Sequence, residues 1–203
     1  MYIKGNDDLS HVYILKRFDG AILIDPSHDE ALIIEALKGY SLQAILLTHG
    51  HIDHTALIDR FNVPIYMHKD DYLLMQDPEQ SGAKALKIPL PKAISALDIR
   101  FIKDMDAISF MDESITVYHT PGHTKGSVCY LHRQELYTGD TLFKGAVGRT
   151  DLVGGSANML QKSMKRLFTD LSQTVKVLPG HDGPTTMKAE KQSNEFVVKT
   201  LKK

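Results

Sequence analysis

Between His49 and His54, in the run Thr48-His49-Gly50-His51-Ile52-Asp53-His54, three imidazoles and one carboxylate crowd into six residues. Neutral imidazole and ionised carboxylate are natural ligands for zinc-like ions. With 10 His among 203 residues, accident would produce such a cluster at a chance on the order of 10⁻³. Three further clusters offer the same chemistry: Thr120-Pro121-Gly122-His123-Thr124, Thr138-Gly139-Asp140-Thr141 and Pro179-Gly180-His181-Asp182-Gly183. In each, a glycine precedes the candidate ligand, which suits a tight turn where backbone crowds a site. One Gly-His in a turn is bland; four clusters in one chain are not.

Such residues need a scaffold, and each cluster follows an apolar run. Ala44-Ile45-Leu46-Leu47 reads as a strand buried on both faces and ends at the first cluster. Strands Ile115–His119, Glu135–Tyr137 and Val175–Leu178 precede the other three. Further strands are predicted at His11–Lys16, Ala21–Asp25, Pro64–Met67, Ala107–Phe110 and Ser127–Leu131. Helical spacing predicts helices at Asp29–Leu37, Lys69–Met75, Ala157–Leu167 and from Met187 onward. The stretch 76–100 has weak periodicity and reads as a loop or lid. The mixture gives an α+β or α/β class in a single domain over residues 1–203, with the site on loops at strand ends.

Composition narrows the function. Lys plus Arg number 24 against 25 acidic residues, so no basic footprint for nucleic acid or membrane surface is expected. No stretch approaches the ~20 apolar residues of a membrane span. Met1 to Asp8 lacks the apolar core of a signal peptide, so a cytoplasmic location is expected. Cys129 is the single cysteine, which excludes an intramolecular disulfide and a Cys-rich zinc site. It lies in an apolar run and reads as a buried hydrophobe. His11, His28 and His132 lack motif context and read as surface or strand residues, while His68 and His119 are candidates for orienting metal ligands.

The order H-x-H-x-D-H, Gly-His, Gly-Asp, Gly-His resembles the metallo-β-lactamase superfamily. THGHIDH, HTPGHT, GDTLF and LPGHDGPTT are most similar to its glyoxalase II (hydroxyacylglutathione hydrolase) branch. The resemblance runs from about residue 11 to the C-terminus. It implies a four-layer αββα sandwich and two divalent metal ions: zinc first, iron or manganese as alternatives. By position, His49, His51 and His123 would hold one ion, Asp53, His54 and His181 the other, and Asp140 would bridge them. A hydroxide between the ions would attack an acyl carbon, oriented by Asp53. The implied substrate is a small-molecule acyl thioester or related ester.

The resemblance also sets out alternatives. Glyoxalase II enzymes usually carry a helical C-terminal extension, and here about twenty residues follow His181, room for one helix. Where the glutathione-specific enzymes carry Lys and Tyr, this chain has Arg149 and Asp151. Arg149 could bind a substrate carboxylate or pair with Asp151 to brace its loop. A short-form thioesterase is therefore expected. Other readings are a persulfide dioxygenase-like oxidoreductase with one iron, a lactonase, and a phosphodiesterase of the same fold.

Overall fold

The computed structural model describes residues 1–202. Two six-stranded sheets follow one another in the chain. The first contains β1 (Tyr2–Ile3), β2 (Val12–Arg17), β3 (Gly20–Ile24), β4 (Ser41–Leu46), β5 (Ile65–His68) and β6 (Ile99–Ile102), in that order across the sheet. Its first pairings are antiparallel, and β3 to β6 run parallel. The second contains β7 (Ala107–Phe110), β8 (Glu113–His119), β9 (Val128–His132), β10 (Glu135–Gly139), β11 (Lys176–Pro179) and β12 (Thr185–Thr186). It is antiparallel except for the β10–β11 pair.

Side chains alternate across a strand, so each sheet buries both faces by using two sets of residues. Tyr13, Leu15, Ile22, Ile24 and Leu46 point inward and meet Phe110, Ile115, Val117, Val128 and Tyr130 of the second sheet. Their neighbours Val12, Ile14, Leu23 and Ile45 face out and pack with Ile33 of helix α1 (Glu30–Ala36). On the far side, Tyr118, Cys129, Leu136 and Val177 pack against three helices. Between α1 and those three lie the short helices α2 (Ile52–Thr55), α3 (Tyr72–Gln76) and α4 (Ala83–Leu86). The three outer helices are α5 (Ala157–Asp170), α6 (Met187–Ser193) and α7 (Glu195–Leu201). The architecture is thus the expected α+β, αββα sandwich, and Cys129 is fully buried within it. No described helix is long and apolar enough to cross a membrane.

Three expectations change. The 76–100 segment carries α4 and ends in β6, a four-residue strand half exposed at the sheet edge. Lys69–Met75 is not one helix: a 3₁₀ turn over Lys69–Asp71 precedes α3. The C-terminal helix is two, because Asn194 leaves helical geometry and its side chain caps α7 by accepting the Phe196 and Val197 amides.

Candidate metal centre

All four clusters lie at the C-terminal ends of strands that the fold brings to one rim: β4, β8, β10 and β11. There, His49, His51 and His123 offer one ligand atom each within 4.8 Å of one another, and so do Asp53, His54 and His181. A third set, His49, His54 and Asp140, meets the same criterion and links the two.

In the first group, His49 Nε2 lies 3.0 Å and His123 Nε2 2.9 Å from His51 Nδ1. The opposite nitrogens decide where the protons are. Thr48 Oγ1 donates to Asp25 at 2.7 Å and accepts from His49 Nδ1 at 3.1 Å. His123 Nδ1 donates to the Arg149 carbonyl at 2.8 Å. In neutral rings both Nε2 atoms are then lone pairs, and His51 Nδ1 has at most one proton for them. Three lone-pair atoms turned on one point fit a cation.

In the second group, His181 Nε2 lies 3.1 Å and His54 Nε2 3.4 Å from Asp53 Oδ2. His54 Nδ1 donates to Asp25 Oδ2 at 2.8 Å, which leaves Nε2 a lone pair in the neutral ring. His54 Nε2 and Asp140 Oδ1 stand 3.2 Å apart, both buried without a hydrogen-bond partner. With His54 neutral these are two buried acceptors facing each other, a costly arrangement unless a proton or a cation stands between them. A cation between them removes that cost.

Asp140 reaches both groups. Its Oδ1 faces His54 and lies 3.8 Å from His181 Nε2, and its Oδ2 lies 3.6 Å from His123 Nε2. The preceding glycines permit this approach. Gly139 has φ +46, and a Cβ on Gly180 would fall 2.6 Å from His54 Cε1 and 2.7 Å from Asp140 Oδ1.

Charge follows the same division. Burial, then the surrounding histidines, holds the His49 imidazole well below its ordinary range. Burial and His123 bring His51 down to about 4. In the second group burial also opposes charge on His54, but Asp53, Asp140 and Asp25 outweigh it and raise its pKa. Burial likewise opposes the Asp53 and Asp140 carboxylates, yet His54 above all holds both below the carboxylate range. His49 and His51 are thus kept uncharged, while the second group is a knot of opposite charge.

The groups floor a cleft of about 540 Å³. His51, Asp53, His123, Asp140 and His181 open onto it. Asp7, Asp8, Glu79, Leu86, Phe143 and Leu152 contribute to its walls, so part of the 76–100 segment does border the site. Arg149 also lines the cleft, with its guanidinium bound to Asp151 at 2.7 and 2.8 Å.

Orientation of the rings falls to residues other than those expected. His68 and His119 stack on each other at 4.0 Å, and His119 Nε2 bonds the Lys125 carbonyl. Neither is bonded to the seven candidate ligands. Asp25 does orient them: it accepts from the Thr48 amide, the Thr48 hydroxyl and His54. Its sequence signal was available, since it ends the apolar strand β3 as the four clusters end theirs. Asp71, buried and bonded to Gly50 and Gly126, gave no local signal. Nor is His11 a surface residue; it is buried beside Asp182.

The family description "Metallo-beta-lactamase superfamily" matches residues 5–182. The chain belongs to this superfamily, which consists mostly of metal-dependent hydrolases. It is 32% identical to the hydroxyacylglutathione hydrolase GloC of Haemophilus influenzae over 188 residues, 87% of each chain. Among solved structures it is similar to the BLEG-1 B3 metallo-beta-lactamase, with a TM-score of 0.87 and 30% identity, covering 97% of this chain and 98% of that one. It is also similar to TTHA1623 in a di-iron-bound form, with a TM-score of 0.81 and 30% identity, covering 97% and 99%.

Proposed function

We propose that this chain is a binuclear metal-dependent hydrolase of acyl thioesters, a short glyoxalase II-like enzyme. In this reading His49, His51 and His123 hold one ion, Asp53, His54 and His181 the other, and Asp140 bridges them. The carrying observation is Asp140, whose two oxygens face one ligand group each. Zinc is the first choice for both positions; iron or manganese also accept such a His/carboxylate set, and the similarity to a di-iron-bound protein favours keeping iron in view. Two divalent ions would lower the pKa of water towards ~7 and polarise an acyl carbonyl.

The chain's own residues prepare that chemistry. Asp53, held ionised and bordering the cleft, would be a ligand of the second ion and could accept a hydrogen bond from the attacking nucleophile. Leu86, Phe143 and Leu152 give the acyl group an apolar wall. A thiol of pKa roughly 8.5 leaves as thiolate without a dedicated acid, so a thioester suits this machinery. The similarity to a hydroxyacylglutathione hydrolase supports the same substrate class.

The test is metal analysis of protein purified without added metal, paired with assays on S-lactoylglutathione, other thioesters, a lactone and a phosphodiester. Two ions per chain and thiol release without oxygen uptake are expected. One iron per chain with oxygen consumption would make the protein a dioxygenase instead.

A further inference from the structure

We infer that Ser10 and His11 are positioning residues for the second ligand group, and that they hold Asp53 and His181 in place for its ion without acting on the first group. The inference rests on the binuclear reading above.

Both residues are buried, at 0% and 4% exposure, in the stretch that leads into β2. The Ser10 amide and hydroxyl both donate to the Asp53 carbonyl, at 3.2 and 2.7 Å. The His11 amide donates to the Gly180 carbonyl at 2.7 Å. The Gly5 amide donates to His11 Nδ1 at 2.9 Å, which places the ring proton on Nε2. That Nε2–H donates to the Asp182 carbonyl at 2.6 Å. Two adjacent residues therefore grip the backbone of Asp53 and the backbone on both sides of His181.

The grip has work to do. Asp182 sits at φ +65, a left-handed conformation that Asp adopts more readily than most side chains but less readily than glycine, so a fixed partner on its carbonyl helps define the turn. The His11 ring is itself fixed, packed against Tyr2 at 5.2 Å and Tyr13 at 6.3 Å between centroids. The first group is held mainly by other contacts: Thr48 on His49, the Arg149 carbonyl on His123, and Asp71 on Gly50, with Asp25 shared between Thr48 and His54. No bond joins Ser10 or His11 to those contacts. The bonds of Ser10 and His11 fall directly on the second group's segments, so loss of the grip acts on that group first.

The experiment titrates full-length, metal-stripped protein with zinc in competition with a chromophoric chelator, giving stoichiometry and both dissociation constants. His11→Phe keeps the ring's bulk and removes both its hydrogen bonds; His11→Gln keeps a donor that can reach Asp182. Outer partners of metal ligands typically contribute 10–100-fold in affinity. His11→Phe should bind its first zinc like the wild type and its second roughly 10-fold or more weakly, with His11→Gln restoring most of the loss. Unchanged second-site affinity in His11→Phe, or equal weakening of both sites, would overturn the inference. Should His11→Phe not fold, Ser10→Ala decides: it removes one bond to Asp53, and an unaltered second constant refutes the grip. A wild-type chain that binds one zinc would overturn the binuclear reading and this inference with it. Two zincs in the wild type with a failed variant prediction would remove the inference alone.

Discussion

The Asp71 carboxylate lies against Gly126 so closely that no side chain fits between them: Oδ1 accepts the Gly126 amide at 2.7 Å, and a Cβ there would stand 2.6 Å from Asp71 Cγ. Oδ2 accepts the Gly50 amide at 3.0 Å and the Thr124 hydroxyl at 2.6 Å. One buried carboxylate thus ties the loop carrying His49 and His51 to the loop carrying His123. Asp71→Ala leaves the Gly50 and Gly126 amides unpaired, at about 1–3 kcal/mol each before relaxation, and takes one of two partners from the Thr124 hydroxyl. We expect a loss of at least about 2 kcal/mol in denaturant unfolding and weaker zinc binding by the first group. A variant with wild-type stability and affinity would show that the tie is incidental.

Asp140→Ala removes the one carboxylate shared by both groups. Metal content measured after dialysis should fall below that of the wild type, and thioester turnover should fall with it. Full turnover with both ions retained is the result that would sink the bridging role.

Acidity separates the two groups. His49 and His51 are pushed down, His51 to about 4, so they are already neutral at about pH 6 and zinc need displace no proton from them. His54 and His181 are raised above 6.5 in the cation-free fold. Zinc must displace those protons, so second-site affinity should climb as pH rises above 6.5 and through their folded values, while His49 and His51 add no such dependence. The raised His54 stabilises the cation-free fold fully below 6.5, and that contribution is lost as pH rises through its folded value. The depressed Asp53 and Asp140 contribute above 3.8, and theirs is lost as pH falls through their folded values. Melting of chelated protein should therefore lose temperature on the alkaline side, where zinc-loaded protein gains. A zinc-induced shift independent of pH would contradict the scheme.

Arg149 is exposed, and its ion pair with Asp151 is a surface pair. Such pairs contribute about 0–1 kcal/mol, so Arg149→Ala should leave unfolding nearly unchanged. Steady-state kinetics should show KM rising more for anionic thioesters than for neutral ones. An equal rise for both would leave Arg149 with the loop-bracing role only.

Much of this protein was legible in its sequence, because the signals were local. Continuous apolar runs such as Ala44–Leu47 mark strands buried on two faces, and the αββα layering buries both faces of each sheet. The ligand clusters were legible for the same reason, each being a short motif at the end of such a run. Asp25, at the end of β3, shares that position but has no histidine beside it to mark it as part of a site. The edge strand β6 was hidden because it is only four residues long and its apolar residues do not sort by burial, Phe101 being exposed.

By itself, then, the sequence determined the layers, the candidate ligands and the strand ends that carry them. Only the tertiary structure decided which atoms meet: Asp140 turning one oxygen to each group, Asp25 on His54, Asp71 on two loops and His11 on the turn beyond His181. Periodicity reports which face of an element is buried, a property of neighbours along the chain. A hydrogen bond between residues 171 positions apart, as from His11 to Asp182, depends on how two sheets are laid on one another. No local pattern of residue types encodes that distance.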